Sequence, residues 1–236
     1  MSDTTAARPV VAFFDADETL TAMKGLFELL RHHIAASDPE PASYDRRVEP
    51  LRRFAAAGGS AAEVNAKYFA LLAGTPFDQV MAEGRDWFGK LRAGGVPYID
   101  ATVRALRAHQ EAGHLTVVVS GSWLPCLQPV ADDLGIDRVL CTRPETDAEG
   151  RLTGRVAHAM FGAHKAAAAF TTMAAHRAAP EDCYAYADDA GDLDLLGAVG
   201  NAAVVGENPA VLAVARERRW PELSAAPVAG TRRLHA

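Results

Sequence analysis

Apolar residues along the chain follow two alternating rhythms. Short apolar runs rich in β-branched and aromatic residues occur at Val10 to Phe14, Leu115 to Val119, Arg138 to Cys141, Tyr184 to Ala187 and Ala202 to Val205. Each predicts a buried strand. Between them, apolar residues recur three or four apart, as in helices that pack by one face. Strands alternating with helices predict an α/β chain built on a parallel sheet wrapped in helices.

The rhythm is interrupted once. About a hundred residues separate the first two strands, far more than a single crossover helix needs. Within this gap "GLFELLRHHIAA", "YDRRVEPLRRFAAA", "AAEVNAKYFALLAG" and "FDQVMAEGRDWFGKLR" each carry helical spacing, so residues 23–96 are expected to form an inserted four-helix cap. "GTP" at 74–76 and "AGGVP" at 93–97 mark turns, the second a hinge back to the main domain. The core then comprises residues 1–22 and 97–222. "PETDAEGRLTGRV" predicts a β-hairpin, and residues 223–236, which show no period, predict a flexible tail. No internal repeat is present.

Composition narrows the function classes. The 236 residues are 49% hydrophobic and 23% charged with a net charge of −6, ordinary for a globular chain with a substantial core. An acidic balance argues against a nucleic-acid binder, which needs a broad basic face. Cys126, Cys141 and Cys183 lack metal or disulfide spacing and read as buried reduced thiols. The opening "MSDTTAARP" is no signal peptide and no apolar run approaches a membrane span, so the expected setting is cytoplasmic with no membrane partner.

The first strand runs directly into Asp15, Asp17 and Glu18. Ligands of a doubly wound sheet bind beyond the carboxyl ends of its strands, yet the same acids could simply cap a helix and complement its dipole. Ser120 and Gly121 after the second strand offer a hydroxyl and backbone N–H groups suited to a phosphate oxygen, or form a plain turn. Lys165 at a helix start could be a solvated charge, and Asp188, Asp189 and Asp192 could be turn or cap residues. Their joint occurrence at successive strand ends is the specific observation.

Taken in order, "VAFFDADET", "VVVSGS", "HK" and "YADDAGD" resemble the four motifs of the haloacid dehalogenase-like (HAD) superfamily, and the position of the helical insert resembles that family's C1 cap. The likeness covers nearly the whole chain and is nearest to subfamily IB, the phosphoserine phosphatase-like branch. It implies a Rossmann-like core and a phosphatase in which Asp15 attacks phosphorus to form an aspartyl-phosphate and Asp17 acts as general acid and base. It further implies Mg²⁺ held by Asp15, the Asp17 carbonyl, Asp188 and Asp192, and phosphate binding by Thr19, Ser120, Gly121 and Lys165. Glu18 stands where the family often has glycine. A phosphotransferase or mutase would use the same aspartyl-phosphate, and a non-catalytic binding protein would keep only the fold.

Substrate choice rests on two departures. Phosphoserine phosphatases carry a glutamate for the substrate ammonium where this chain has Lys24, and a cap arginine for its carboxylate where an ungapped alignment places Tyr68. With that clamp replaced, the expected substrate is a sugar, cyclitol or polyol phosphate handled by a monomer or homodimer. His32 and His33 read as helix-surface residues, and Trp87 and Phe88 as cap core.

Overall fold

A computed structural model of the chain describes residues 8–229. Residues 1–7, read above for a leader, and 230–236, the end of the expected tail, lie outside the described residues. Strand β1 (Val11–Phe14) is followed by helices α1 (Gly25–Ser37), α2 (Ser43–Ala56), α3 (Ala61–Ala70) and α4 (Phe77–Gly94). Next come α5 (Asp100–Glu111), β2 (Leu115–Trp123), α6 (Leu124–Leu134) and the hairpin of β3 (Arg138–Thr146) with β4 (Leu152–His158). The chain ends through α7 (Ala163–His176), β5 (Tyr184–Ala187), α8 (Leu193–Gly197), β6 (Asn201–Val205), α9 (Pro209–Arg218) and β7 (Glu222–Leu223).

One sheet has the order β4-β3-β2-β1-β5-β6-β7, parallel except for the β3–β4 hairpin. β1 is central because its four residues are apolar on both sides. Val11 and Phe13 join the core beneath α7, α8 and α9, whereas Ala12 and Phe14 join the core shared with the inserted helices and α6. The fold is the mixed α/β class that the alternating rhythm predicts.

β2 continues past Val119 to Trp123 and β3 past Cys141 to Thr146. β3 gains its second half by antiparallel pairing with β4, a contact between residues adjacent in sequence that the apolar run alone does not reveal. The described part of the tail, up to residue 229, is hydrogen-bonded to the core. Glu222 and Leu223 pair with Val204 and Val205, and the Val228 N–H donates to Tyr98 O at 2.7 Å. Backbone hydrogen bonding orders this segment and needs no side-chain period.

The inserted helices pack closely on the core. Gly84 of α4 lies so near α6 that a Cβ there would be 2.1 Å from Pro125 O. The α3–α4 turn is also joined to the hairpin, with Gly74 N–H donating to Leu152 O at 2.7 Å and Leu152 N–H to Thr75 O at 2.9 Å. Trp87 and Phe88 are buried as expected. His32 and His33 are less exposed than a surface reading predicts, because they reach across to Asp86 and Glu83 of α4. All three cysteines are free thiols, with Cys126 and Cys183 buried. No described helix is long and apolar enough to cross a membrane.

Candidate active site

The site forms where β1 lies between β2 and β5, so that connections leave toward opposite edges of the sheet and open a crevice at the strand ends. The Asp15 N–H extends the ladder by donating to Tyr186 O at 2.9 Å. The chain then turns sharply, with the N–H groups of Leu20 and Thr21 both donating to Ala16 O. Glu18 adopts φ 59° in this turn, a left-handed conformation costing a non-glycine residue roughly 1–2 kcal/mol. That backbone accounts for a position where glycine is common.

Lys165 enters from the first turn of α7 and is 3% exposed. Its Nζ lies 2.6 Å from Asp15 Oδ1 and 2.7 Å from Asp192 Oδ1. Burial would push the lysine down, but the Asp15 and Asp192 carboxylates more than reverse this and raise it, so the ammonium is a fixed positive charge. The Thr19 hydroxyl donates to Asp188 Oδ1 at 2.7 Å. Its side chain is therefore engaged by an acid of the cluster. Asp189 closes a local turn, accepting from Gly191 N–H at 2.8 Å.

Asp17 Oδ1 accepts from the Gly25 N–H at 2.9 Å, which ties this acid to the start of α1. Burial, followed by the nearby Asp15 charge, raises Asp17 to about 7 even though the Gly25 hydrogen bond acts in the opposite direction. Burial and then Asp15 also hold Asp188 well above the usual carboxylate range. Asp192 is raised by burial, against the pull of Lys165.

Burial is the main cause of all three shifts and the neighbouring carboxylates add to it, so the cluster holds more buried acids than one lysine balances. Hard oxygen donors short of positive charge suit Mg²⁺. Among the described residues no three Asp, Glu, His or Cys side chains enclose an ion by themselves. Mg²⁺ does not require such a cage, since it retains waters and is usually held by one or two carboxylates plus substrate oxygens. Asp15, Asp188 and Asp192 therefore fit this ion.

Ser120 lies within β2, not at a helix start, and α6 begins only at Leu124. Ser120 Oγ accepts from the Ser122 N–H at 3.1 Å. Gly121 is pressed against Phe161, whose Cε1 would lie 2.3 Å from any Cβ at that position. A cavity of about 460 Å³ joins Asp15, Asp17, Ser120, Gly121, Lys165, Asp188 and Asp192 to residues of the inserted helices. Its outer wall is mainly apolar, with Leu26, Phe27, Leu51 and Val64.

Lys24 and Tyr68 both line this cavity. Lys24 Nζ lies 3.3 Å from Glu18 Oε2, with both side chains about half exposed at 53% and 50%. Tyr68 is fully buried, edge-on to Phe27, Phe69 and Trp123. Asn65 and Phe161 were not singled out in the sequence. Asn65 had a legible signal, as a polar residue on the face of α3 that also carries Tyr68 and Phe69. Phe161 had none, since its place against Gly121 comes from the chain's return after β4.

The haloacid dehalogenase-like hydrolase family profile matches residues 12–197. The chain belongs to this family. Among curated relatives, a probable phosphatase of Mycobacterium tuberculosis is 38% identical over 119 residues, 50% of this chain and 41% of that protein. The inhibition of morphological differentiation protein of Streptomyces azureus is 34% identical over 124 residues, 52% of this chain and 45% of that protein. The match thus spans less than half the length of either relative. Among solved structures, a Bordetella pertussis protein of unknown function superposes with TM-score 0.80 at 23% identity, covering 93% of this chain and 100% of that one. A phosphoserine phosphatase carrying a phospho-aspartyl intermediate analogue gives TM-score 0.66 at 18% identity, covering 93% and 95%. This chain therefore shares its fold with a phosphoserine phosphatase.

Proposed function

We propose that this HAD-family chain is a Mg²⁺-dependent phosphatase of small phosphorylated metabolites that works through an aspartyl-phosphate on Asp15. The observation that carries this reading is the pairing of Asp15, held by Lys165 at 2.6 Å, with Asp17, raised to about 7. An ionised carboxylate beside a neutral carboxyl is the combination needed for a nucleophile and a proton donor at neutral pH. A family relative, phosphoserine phosphatase SerB1 of Mycobacterium tuberculosis, 26% identical over 92% of this chain, supports phosphate monoesters as the substrate class.

In the first step an Asp15 carboxylate oxygen attacks phosphorus and the ester P–O bond breaks, while Asp17 gives its proton to the departing alkoxide. Water then attacks the phosphorus of the aspartyl-phosphate, Asp17 takes the proton, and inorganic phosphate leaves with the Asp15 carboxylate restored. Lys165, Ser120 and the Gly121 N–H balance and orient the phosphate oxygens, so that charge developing on them is met by groups already in place. Bound Mg²⁺, held by Asp15, the Asp17 carbonyl, Asp188 and Asp192, supplies electrophilic activation of phosphorus. Residues 23–96 act as the cap that excludes water from the first step.

A neutral sugar, cyclitol or polyol phosphate is favoured over phosphoserine. Lys24 stands where an ammonium would need an acid, and buried Tyr68 offers no charge to a carboxylate. The test is phosphate release from sugar, cyclitol, glycerol, nucleotide and amino-acid phosphates with Mg²⁺ or EDTA, using wild type and Asp15→Asn. Metal-dependent turnover that disappears in the variant supports the reading. Phosphoserine turnover matching the best substrate overturns the substrate preference, and Asp15-independent release overturns the mechanism.

A further inference from the structure

Asn65 is an unusual residue for its position. It lies in the interior of α3, where asparagine is a poor helix former because its amide competes for backbone groups. It is only 5% exposed and shares the buried face of the helix with Tyr68 and Phe69. The reciprocal Ser60–Glu63 capping box fixes the start of this helix, and the face bearing Ala61, Val64, Asn65 and Tyr68 lines the catalytic cavity.

The two ends of the amide are in different situations. Nδ2 donates to Gly121 O at 3.1 Å, reaching from the inserted helices to the end of β2. A carbonyl only accepts, so the nitrogen must face it and the orientation of the amide is fixed. Oδ1 is thereby turned away from Gly121, and it is buried with no hydrogen-bond partner. A buried acceptor left unmade is a substantial penalty, and in a native site it calls for a partner or a functional role.

The hydroxyls of Tyr68 and Ser122 also line the cavity without a partner, but each can donate as well as accept, whereas Asn65 Oδ1 can only accept. The walls of the outer cavity are largely apolar, Lys24 is paired with Glu18, and Arg52 is paired with Asp45 while stacking near Tyr44. A neutral acceptor in an apolar wall selects a neutral donor. We propose that Asn65 is a specificity-determining residue whose Oδ1 accepts a hydrogen bond from a substrate hydroxyl close to the ester oxygen. The substrate class is then the phosphate monoester of a polyhydroxylated alcohol, in preference to one with an unsubstituted alkyl chain. This rests on the phosphatase reading for its choice of ligand, and it names the residue that would enforce the polyol preference.

The test measures binding by calorimetry to wild-type protein with Mg²⁺, and so does not depend on turnover. Its probes are the dihydroxybutyl phosphonate isosteric with glycerol phosphate and plain butylphosphonate. Wild type is expected to bind the dihydroxy compound at least about tenfold more tightly, the scale of one buried hydrogen bond. In Asn65→Leu, or Asn65→Ala should the leucine variant not fold, the ratio is expected to fall to near unity. Asn65→Asp keeps the acceptor and is expected to retain the ratio while binding both phosphonates more weakly. No preference in wild type, or an unchanged preference in Asn65→Leu, overturns the assignment. Turnover of p-nitrophenyl phosphate is measured separately: a hydroxyl preference without turnover supports the role of Asn65 and overturns the phosphatase reading alone.

Discussion

The Gly25 N–H donates to Asp17 Oδ1 at 2.9 Å, so the proposed proton donor is fastened to the first residue of the inserted helices. Burial and then the Asp15 charge raise this acid to about 7 at the junction of core and insert, against the lowering effect of that hydrogen bond. Asp17→Asn keeps the shape and the hydrogen-bond acceptor but has no proton to give. Its turnover of alkyl phosphates is expected to fall roughly a hundred- to ten-thousand-fold. Aryl phosphates, whose leaving groups need little protonation, should lose less, and steady-state kinetics on the two ester classes measures the difference.

Asp17, Asp188 and Asp192 are all raised in the metal-free protein. A carboxyl raised on folding contributes stability that is full below its unfolded value near 3.8 and lost as pH rises through its folded value, about 7 for Asp17. Metal-free protein should therefore lose stability from this cluster between about pH 4 and about pH 8. Added Mg²⁺ should raise Tm most at the upper end, where the carboxylates are ionised. Thermal melts with Mg²⁺ or EDTA across this range check it, and a Tm insensitive to Mg²⁺ at the alkaline end would count against the metal assignment.

Lys165 is 3% exposed between two acids. Lys165→Met leaves those acids facing each other without a cation, which is expected to cost about 3–5 kcal/mol at neutral pH. The loss should shrink as pH falls below about 7, where Asp192 takes up a proton and no longer needs the ammonium. Denaturant titration above and below this pH separates this electrostatic cost from simple loss of packing, which would be independent of pH.

Gly84 is limited by its closeness to Pro125 O, 2.1 Å from where a Cβ would sit. Gly84→Ala should force α4 away from α6 despite alanine's better helix propensity, at a cost of about 1–3 kcal/mol. A lowered Tm is the expected readout, and a raised one would show that the two helices separate freely.

The motif residues were legible because chemistry restricts them to a few side-chain types at strand ends. Asp15, Ser120, Lys165, Asp188 and Asp192 all reach the cavity that the sequence implied. Less legible were features set by contacts across the fold. Thr19, expected on phosphate, gives its hydroxyl to Asp188, a residue 169 positions away. The tail beyond Trp220 has no amphipathic signal, yet its backbone completes the sheet edge through β7.

By itself, the sequence determined the strand and helix rhythm, the place of the insert and the identities of the acids, because periodicity and residue type are local properties. Only the tertiary structure decided which charges meet, that Asp17 is raised to about 7, and that the Asn65 amide has one end on Gly121 and the other unmade. Those facts depend on burial and on distances between segments far apart in the chain, and electrostatic energy in a low-dielectric interior is a function of such distances.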